Sequence, residues 1–530
     1  VGNFYLIVLK IKTDKINRMM LNFKSIFKFV ALGLLFSCSK AAEIKYTQPR
    51  GENKDVIDLI AGNNVYGRIT DIAGKGISGV SVSDGFTVVQ TDKNGIYQFK
   101  KNATARFVHY STPSAYAINV ANNNNNPIFY SALESTTNPR QYNFILTENK
   151  ANDTKFLIYG IGDPQVANTA DVDRFTNETL ADIKGEMSTT NLPIYGLSLG
   201  DVVADQPQLM GGMKSLLGST TMPVFTTIGN HDKTASGSNI KNGNLFESHF
   251  GPSNYSFSRG NVHFVCMDNV VFAADGSYTM NLSKEQLDWL EQDLSFVNKQ
   301  HMLVLFTHMP IRNSNFAMRS RLFDLLQSFK ETHIMVGHTH YAENFIHKIG
   351  DRTIFEHIHG ATCGAWWKST INGDGTPNGY AVYQVEGNTL TDWYYKPTKL
   401  SRNFQMRLHW ADVAYGGDYG YFNYANESDI LVANVWNADP SWKVEVFMDG
   451  KKLGDMQLSG TFNRDAWSKG YHLGVLNRNP ANYNTVTTHL YTLKVNNPNG
   501  TLKVVATDRF GKVYEQTAVT TNLSTAKSYQ

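Results

Sequence analysis

Five times along this chain an apolar run stops at Gly or Thr and gives way at once to Asp, Asn, Gln or His. The run 156–161 leads to Gly162, Asp163 and Gln165, and 194–199 leads to Gly200 and Asp201. The run 222–225 leads to Gly229, Asn230, His231 and Asp232, 302–306 to Thr307 and His308, and 333–336 to Gly337, His338 and His340. Carboxylate and amide oxygens suit hard cations, and imidazole suits borderline transition metals. A His just past a strand end can also reach a substrate as an acid or base. Short apolar runs bounded by Gly read as buried strands. In open α/β sheets, ligands gather beyond the carboxyl ends of strands. Asp, Asn and His from five such ends can surround two cations.

The elements that must hold these ends in place alternate. Between the strands, 171–184 spaces Val172, Phe175, Leu180 and Ile183 as a helix does. Ser283 and Gln286 form the pattern of a capping box ahead of Leu287, Leu290 and Leu294, and 321–330 reads as a third helix. Strands alternating with helices imply crossover units and a parallel or mixed sheet, hence an α/β (α+β) centre. Strands at 380–385 and 389–395 complete it, and Pro397 marks its end.

On these motifs the chain resembles the calcineurin-like metallophosphoesterase family over roughly residues 155–365. The family pattern is Asp-x-His, Gly-Asp, Gly-Asn-His-Asp/Glu, a lone His, and Gly-His-x-His. The resemblance implies two mixed β-sheets packed face to face with flanking helices. It implies a first metal on Asp163, Gln165, Asp201 and His340 and a second on Asp201, Asn230, His308 and His338, with Asp201 bridging. It implies hydrolysis of a phosphomono- or phosphodiester by a dinuclear centre with a bridging hydroxide, His231 acting as the acid toward the leaving oxygen and Asp232 or a backbone carbonyl orienting it. Manganese, iron and zinc all suit the mixed N/O set. Gln165 departs from the family pattern by standing where a His is usual, and a Gln carbonyl is a harder, weaker ligand. It is the one feature that favours the alternative reading, a catalytically degenerate binding protein capturing a glycan or phosphorylated ligand at the cell surface. His231, which a pure binder does not need, weighs for the enzyme.

Other residues have chemistry to offer a substrate. Arg312 and Asn313 follow His308 closely, and a guanidinium pairs well with phosphate oxygens. Trp366 and Trp367 can stack on a base or sugar or pack inside. His357 and His359, at strand-like spacing, read as structural.

The 530 residues suggest roughly two to four domains. We expect an upstream extension and lipoprotein signal peptide over 1–40, an N-terminal β-sandwich accessory domain over 41–150, the phosphoesterase domain over 151–396, and a C-terminal all-β domain over 397–530. The N-terminal part alternates apolar and polar residues between turns, and resembles a carboxypeptidase-regulatory β-sandwich; Asp92 and Asn94 there read as a tight turn. In 442–448 and 502–507 the same alternation recurs. The apolar run 29–36 after Lys24 and Lys28, ending at Cys38, resembles a bacterial lipoprotein signal, which places lipid on Cys38 and the protein on the periplasmic or outer side of a Gram-negative cell envelope. The formal net charge of +3 and short charge runs give no nucleic-acid surface. Cys266 and Cys363, the remaining cysteines, make no disulfide framework.

Overall fold

The computed structural model describes residues 57–235, 240–312, 314–414, 428–460, 463–478 and 485–520. The signal-like segment, Cys38 and Asn313 lie outside them. The described residues form one compact unit.

Two mixed sheets face each other at its centre. The first orders Val224–Thr226, Ile194–Ser198, Lys155–Ile161, Gly379–Glu386 and Thr389–Pro397, the first three parallel and the last two an antiparallel hairpin. The second has Tyr255–Arg259, Val262–Cys266, Met302–Phe306, Glu331–Val336, Arg352–Ile358 and Glu343–Ile349, with the inner four parallel. Alternation along each strand sends Phe156, Ile158, Leu197 and Phe225 of one sheet and Phe264, Val304 and Phe306 of the other into a shared core. The opposite face of each sheet is covered by helices. Thr169–Met187 and Met210–Leu217 cover the first sheet; Lys284–Ser295 and Arg319–Leu326 cover the second. A strand buried on both faces must be apolar throughout, which is why these runs lack polar alternation.

The helix expected over 171–184 is real but carries a π-turn stretch, Phe175–Leu180. The capping box is formed: the Ser283 hydroxyl accepts from Gln286 N at 3.2 Å, and Gln286 Oε1 accepts from Ser283 N at 3.0 Å. The helix expected over 321–330 runs instead over Arg319–Leu326, because Glu331 already opens the next strand and Thr332 Oγ1 donates to the Leu326 carbonyl at 2.9 Å.

Two four-stranded sheets precede this centre and two follow it. In the leading pair, the Asp92 carboxylate accepts from Asn94 N and Ile96 N, at 2.8 and 2.9 Å, in a closed turn. The trailing pair packs around Leu408, Leu431, Val444, Val446 and Val504. Its all-β reading needs one amendment. Ala466–Gly470 is helical and passes into a π-turn over Tyr471–Val475. Asp465 caps it by accepting from Ser468 N, and Trp467 and Tyr471 bury their stacked rings against Ile371. No long apolar period announced so short a helix.

Candidate metal centre

The carboxyl ends of five strands meet at one rim, and all nine candidate metal and acid residues lie there or directly beneath it. Five of the seven candidate ligands leave their strands through left-handed backbone: Asp163 (φ 40°), Gln165 (41°), Asp201 (47°), His338 (72°) and His340 (56°). Non-glycine residues seldom adopt that region, and each costs on the order of 1–3 kcal/mol unless the surroundings impose it. The turns fold each loop back on its strand so that successive side chains aim inward. Two glycines make room for this. A Cβ on Gly229 would stand 2.1 Å from Asp201 Oδ1, and one on Gly337 would stand 2.3 Å from Asp163 Oδ2.

Backbone amides fix the acids. Asp163 accepts from His338 N at 2.9 Å, tying the first sheet to the second. Asp201 Oδ1 accepts from His231 N at 2.9 Å. His308 donates from Nδ1 to the Leu199 carbonyl at 2.8 Å, which fixes its tautomer and turns Nε2 into the site. There Nε2 is 3.0 Å from Asn230 Oδ1 and 3.3 Å from Asp201 Oδ2. His338 Nδ1 is 3.0 Å from the same Asn230 oxygen and 3.2 Å from His308 Nε2. Four lone-pair-bearing atoms so close repel one another unless a positive charge sits among them. A proton can serve: burial lowers the His308 pKa, but the Asp201 and Asp163 carboxylates outweigh it and bring it up to about 9. Burial raises the Asp201 carboxyl, and the His308 charge and hydrogen bond more than reverse this, holding it well below the usual carboxylate range. His338, buried beside His308, is pushed down to about 4. A divalent cation would meet the same demand more fully.

The second group is Asp163, Asp201 and His340, whose ligand atoms all lie within 4.8 Å of one another. Two buried atoms there, His340 Nε2 and Gln165 Oε1, have no hydrogen-bond partner among the described residues. Leaving such atoms unpaired costs about 1–3 kcal/mol each, and a cation held by His340 Nε2 removes that cost there. The Gln165 amide reaches Asp201 Oδ2 through Nε2 at 3.3 Å, so a half-turn of the amide brings its oxygen to the same place. The donor set therefore fits two cations, with Asp201 in both groups.

The acid residues are arranged differently from expectation. The Asp232 carboxylate does not face His231; it is fully buried and accepts from Gly229 N at 2.9 Å and Val203 N at 3.1 Å. Burial and the neighbouring Asp201 charge push its carboxyl up to about 7. It braces the loop. His231 Nδ1 instead meets Asp205, whose other oxygen accepts from Lys241 Nζ at 2.6 Å. Asp205 escaped the sequence reading because it follows the Gly200–Asp201 motif on an irregular turn; its four-residue offset from Asp201 was the available signal.

Arg312 is committed elsewhere, paired with Glu343 at 2.7 Å and donating to Tyr341 Oη at 3.0 Å. His357 and His359 are buried within the sheet, in hydrogen bonds to His333 and Asn344 and to Val336 and Tyr383. The loop carrying Trp366 and Trp367 reaches back under the first ligand turn: Thr362 N and Oγ1 both donate to the Gly162 carbonyl, and Cys363 Sγ donates to that of Pro164 at 2.9 Å. Cys363 and Cys266 are free, and burial pushes both thiols up to about 12.

Three family models match the chain in order: the N terminal of calcineurin-like phosphoesterase over 63–149, calcineurin-like phosphoesterase itself over 156–342, and the C terminal of calcineurin-like phosphoesterase over 356–514. The chain belongs to the calcineurin-like phosphoesterase family. That family is one of phosphoric ester hydrolases that use two divalent metals. No curated protein matches the chain in sequence. Solved structures similar to it include purple acid phosphatase PPD1 from yellow lupin (15% identity, TM-score 0.34, covering 47% of this chain and 52% of that one). A 5'-nucleotidase precursor from Thermus thermophilus is 11% identical (TM-score 0.28, 46% and 54%), and the NAD nucleotidase of Haemophilus influenzae is 10% identical (TM-score 0.27, 46% and 49%). The chain spans about half the length of each of these proteins.

Proposed function

We propose that this phosphoesterase hydrolyses a phosphomono- or phosphodiester at a dinuclear centre, outside the cytoplasm. The observation that carries the reading is the position of Asp201, which belongs to both ligand groups while its Oδ1 accepts from His231 N. Asp163, Gln165, Asp201 and His340 would hold one cation, and Asp201, Asn230, His308 and His338 the other. When bound, such cations polarise phosphoryl oxygens and lower the pKa of water to about 7, supplying hydroxide at neutral pH.

The chain's own groups do the rest. His231 stands at the edge of the ligand cluster with its side chain partly open to solvent, as a group that must take up and deliver protons requires. Its Nδ1 is held by Asp205, so Nε2 is free to donate to the leaving oxygen. Lys241 fixes Asp205, and Asp232 keeps the loop that carries Asn230 and His231 in register. The buried imidazoles and carboxylates are preorganised and need little rearrangement as charge develops.

The test is hydrolysis of a chromogenic phosphodiester and its monoester by the protein with added manganese, beside an Asp201→Asn control. Activity lost in the control supports the reading, and the mono-to-diester ratio narrows the substrate. Metal bound without activity on either ester points to a narrower natural substrate; neither metal nor activity overturns the proposal in favour of a binding protein. The envelope location rests on the leader-like segment ending at Cys38. A Cys38→Ser chain released from the membrane fraction supports lipid attachment there, and unchanged partitioning refutes it.

A further inference from the structure

Trp366 and Trp367 are chain neighbours that serve opposite ends. Trp367 is buried, and its Nε1–H donates to the His340 carbonyl at 3.3 Å. Trp366 leaves 47% of its surface in water. Its ring is T-shaped to His340, with centroids 5.2 Å apart, and its centroid is 6.4 Å from that of His231. A single exposed indole is unremarked on most proteins; this one stands beside both a candidate ligand and the leaving-group acid. It is also held firmly. Lys368 N donates to the Gly364 carbonyl at 2.8 Å, and Asn378 Nδ2 donates to that of Ser369 at 2.9 Å. Gly364 has a φ of 62°, and a Cβ there would stand 2.0 Å from the Ser369 oxygen.

A second ring flanks the other group of ligands. Tyr278 is 42% exposed, lies 5.8 Å from His338 in a T-shaped contact, and rests on Phe272 at 5.2 Å. His338 belongs with Asp201 and His308, and His340 with Asp163 and Asp201. Each ligand group thus has an exposed aromatic ring beside it, and Trp366 is the one that also adjoins His231.

We propose that Trp366 is the platform for the leaving group, and that the preferred esters carry a ring with an apolar face close to the scissile oxygen. The inference rests on the phosphoesterase reading and names the substrate class for it. Stacked rings have centroids about 4.5–7 Å apart. His231 must come within about 3 Å of the leaving oxygen to protonate it. With 6.4 Å between the two centroids, a ring stacked on Trp366 on the side of His231 lies close to that oxygen. An aryl ester and a sugar phosphate both satisfy this; a ring at the end of a long flexible chain does not.

The test compares phenyl phosphate, a hexose phosphate and glycerol phosphate as substrates of the manganese-loaded wild type, Trp366→Ala and Trp366→Phe. The expected result is that the ring-to-glycerol ratio of kcat/KM falls about tenfold in Trp366→Ala, as stacking of this kind supplies, and is largely restored in Trp366→Phe. A fall with phenyl phosphate alone assigns an aryl ring, and a fall with the hexose ester alone a sugar. An unchanged ratio overturns the proposal, whether or not overall activity drops. Calorimetric binding of phenylphosphonate against methylphosphonate gives a readout that needs no turnover. A wild-type preference for the phenyl compound, lost in Trp366→Ala, supports the platform even if the hydrolysis reading fails, and equal binding of the two by the wild type refutes an aryl platform.

Discussion

His231 Nδ1 lies 2.5 Å from Asp205 Oδ2, while the carboxylate of Asp232, the next residue in the chain, points to backbone amides. Asp205 is the positioning residue for the proposed acid, and it sets a negative charge against the ring. Asp205→Asn keeps a hydrogen-bonding oxygen but removes that charge. The expected outcome is a fall in kcat of about 10- to 100-fold with KM nearly unchanged. His231→Ala is expected to cost about 10²–10⁴-fold. Both variants should retain metal. A kcat in Asp205→Asn equal to that of the wild type would remove Asp205 from the mechanism.

Asp201 is shared by both ligand groups, whereas the proposed arrangement gives Gln165 to the first cation alone. Asp201→Asn should therefore lose both equivalents of metal, and Gln165→Ala no more than one. Elemental analysis after gel filtration decides it. Two retained equivalents in Asp201→Asn would refute the bridging assignment. Gln165→His, which restores imidazole where the family usually has it, is expected to bind the first metal more tightly.

The centre of this fold is legible in sequence because its strands are buried on both faces and end in residues that no core requires. The run 302–306 is apolar throughout and stops at Thr307, and the structure places His308 at that strand's end. What sequence could not give is the direction of side chains in the loops. Asp232 follows His231 directly, yet the turn aims it at Gly229 N and leaves Asp205, from another strand end, to hold the imidazole. Arg312 sits near His308 in the chain, but its partner Glu343 comes from a later strand, a pairing no local pattern encodes. Trp366 and Trp367 differ in burial although they are adjacent, because Gly364 turns the loop and only tertiary contacts decide which ring it hides.

Gly229 tests whether the close approach of loops matters apart from the ligands themselves. A Cβ there would collide with both Asp201 Oδ1 and Asp201 N, at 2.1 and 2.2 Å. Gly229→Ala should lose metal and activity while every ligand side chain is intact, and should unfold at lower temperature. Gly212, on the helix Met210–Leu217, is the control, since a Cβ there meets nothing within 4 Å. Gly212→Ala should raise stability by about 0.5–1 kcal/mol through helix propensity and leave metal content alone. Full metal occupancy in Gly229→Ala would show that the loop can shift without cost.

Outside the ligand set itself, buried histidines set the response to acid. Burial pushes His109, His359 and His472 down to about 4, and burial with the neighbouring His333 holds His357 well below its ordinary value. Each folded-state pKa lies below the unfolded value of about 6.5. Above that pH neither state carries the proton, and the stabilisation is complete. As pH falls from about 6.5 toward 4, the unfolded chain takes up protons that the folded chain refuses. Stability then drops by up to about 1.4 kcal/mol per pH unit for each such histidine. Guanidinium unfolding at pH 7.5, 6 and 5 should give successively lower midpoints; equal midpoints would show that these rings can be charged within the fold. His109 offers the cleanest check, because neither of its ring nitrogens has a hydrogen-bond partner among the described residues. His109→Leu removes one titrating group and breaks no hydrogen bond, so its stability should fall less steeply between pH 6.5 and 5 than that of the wild type.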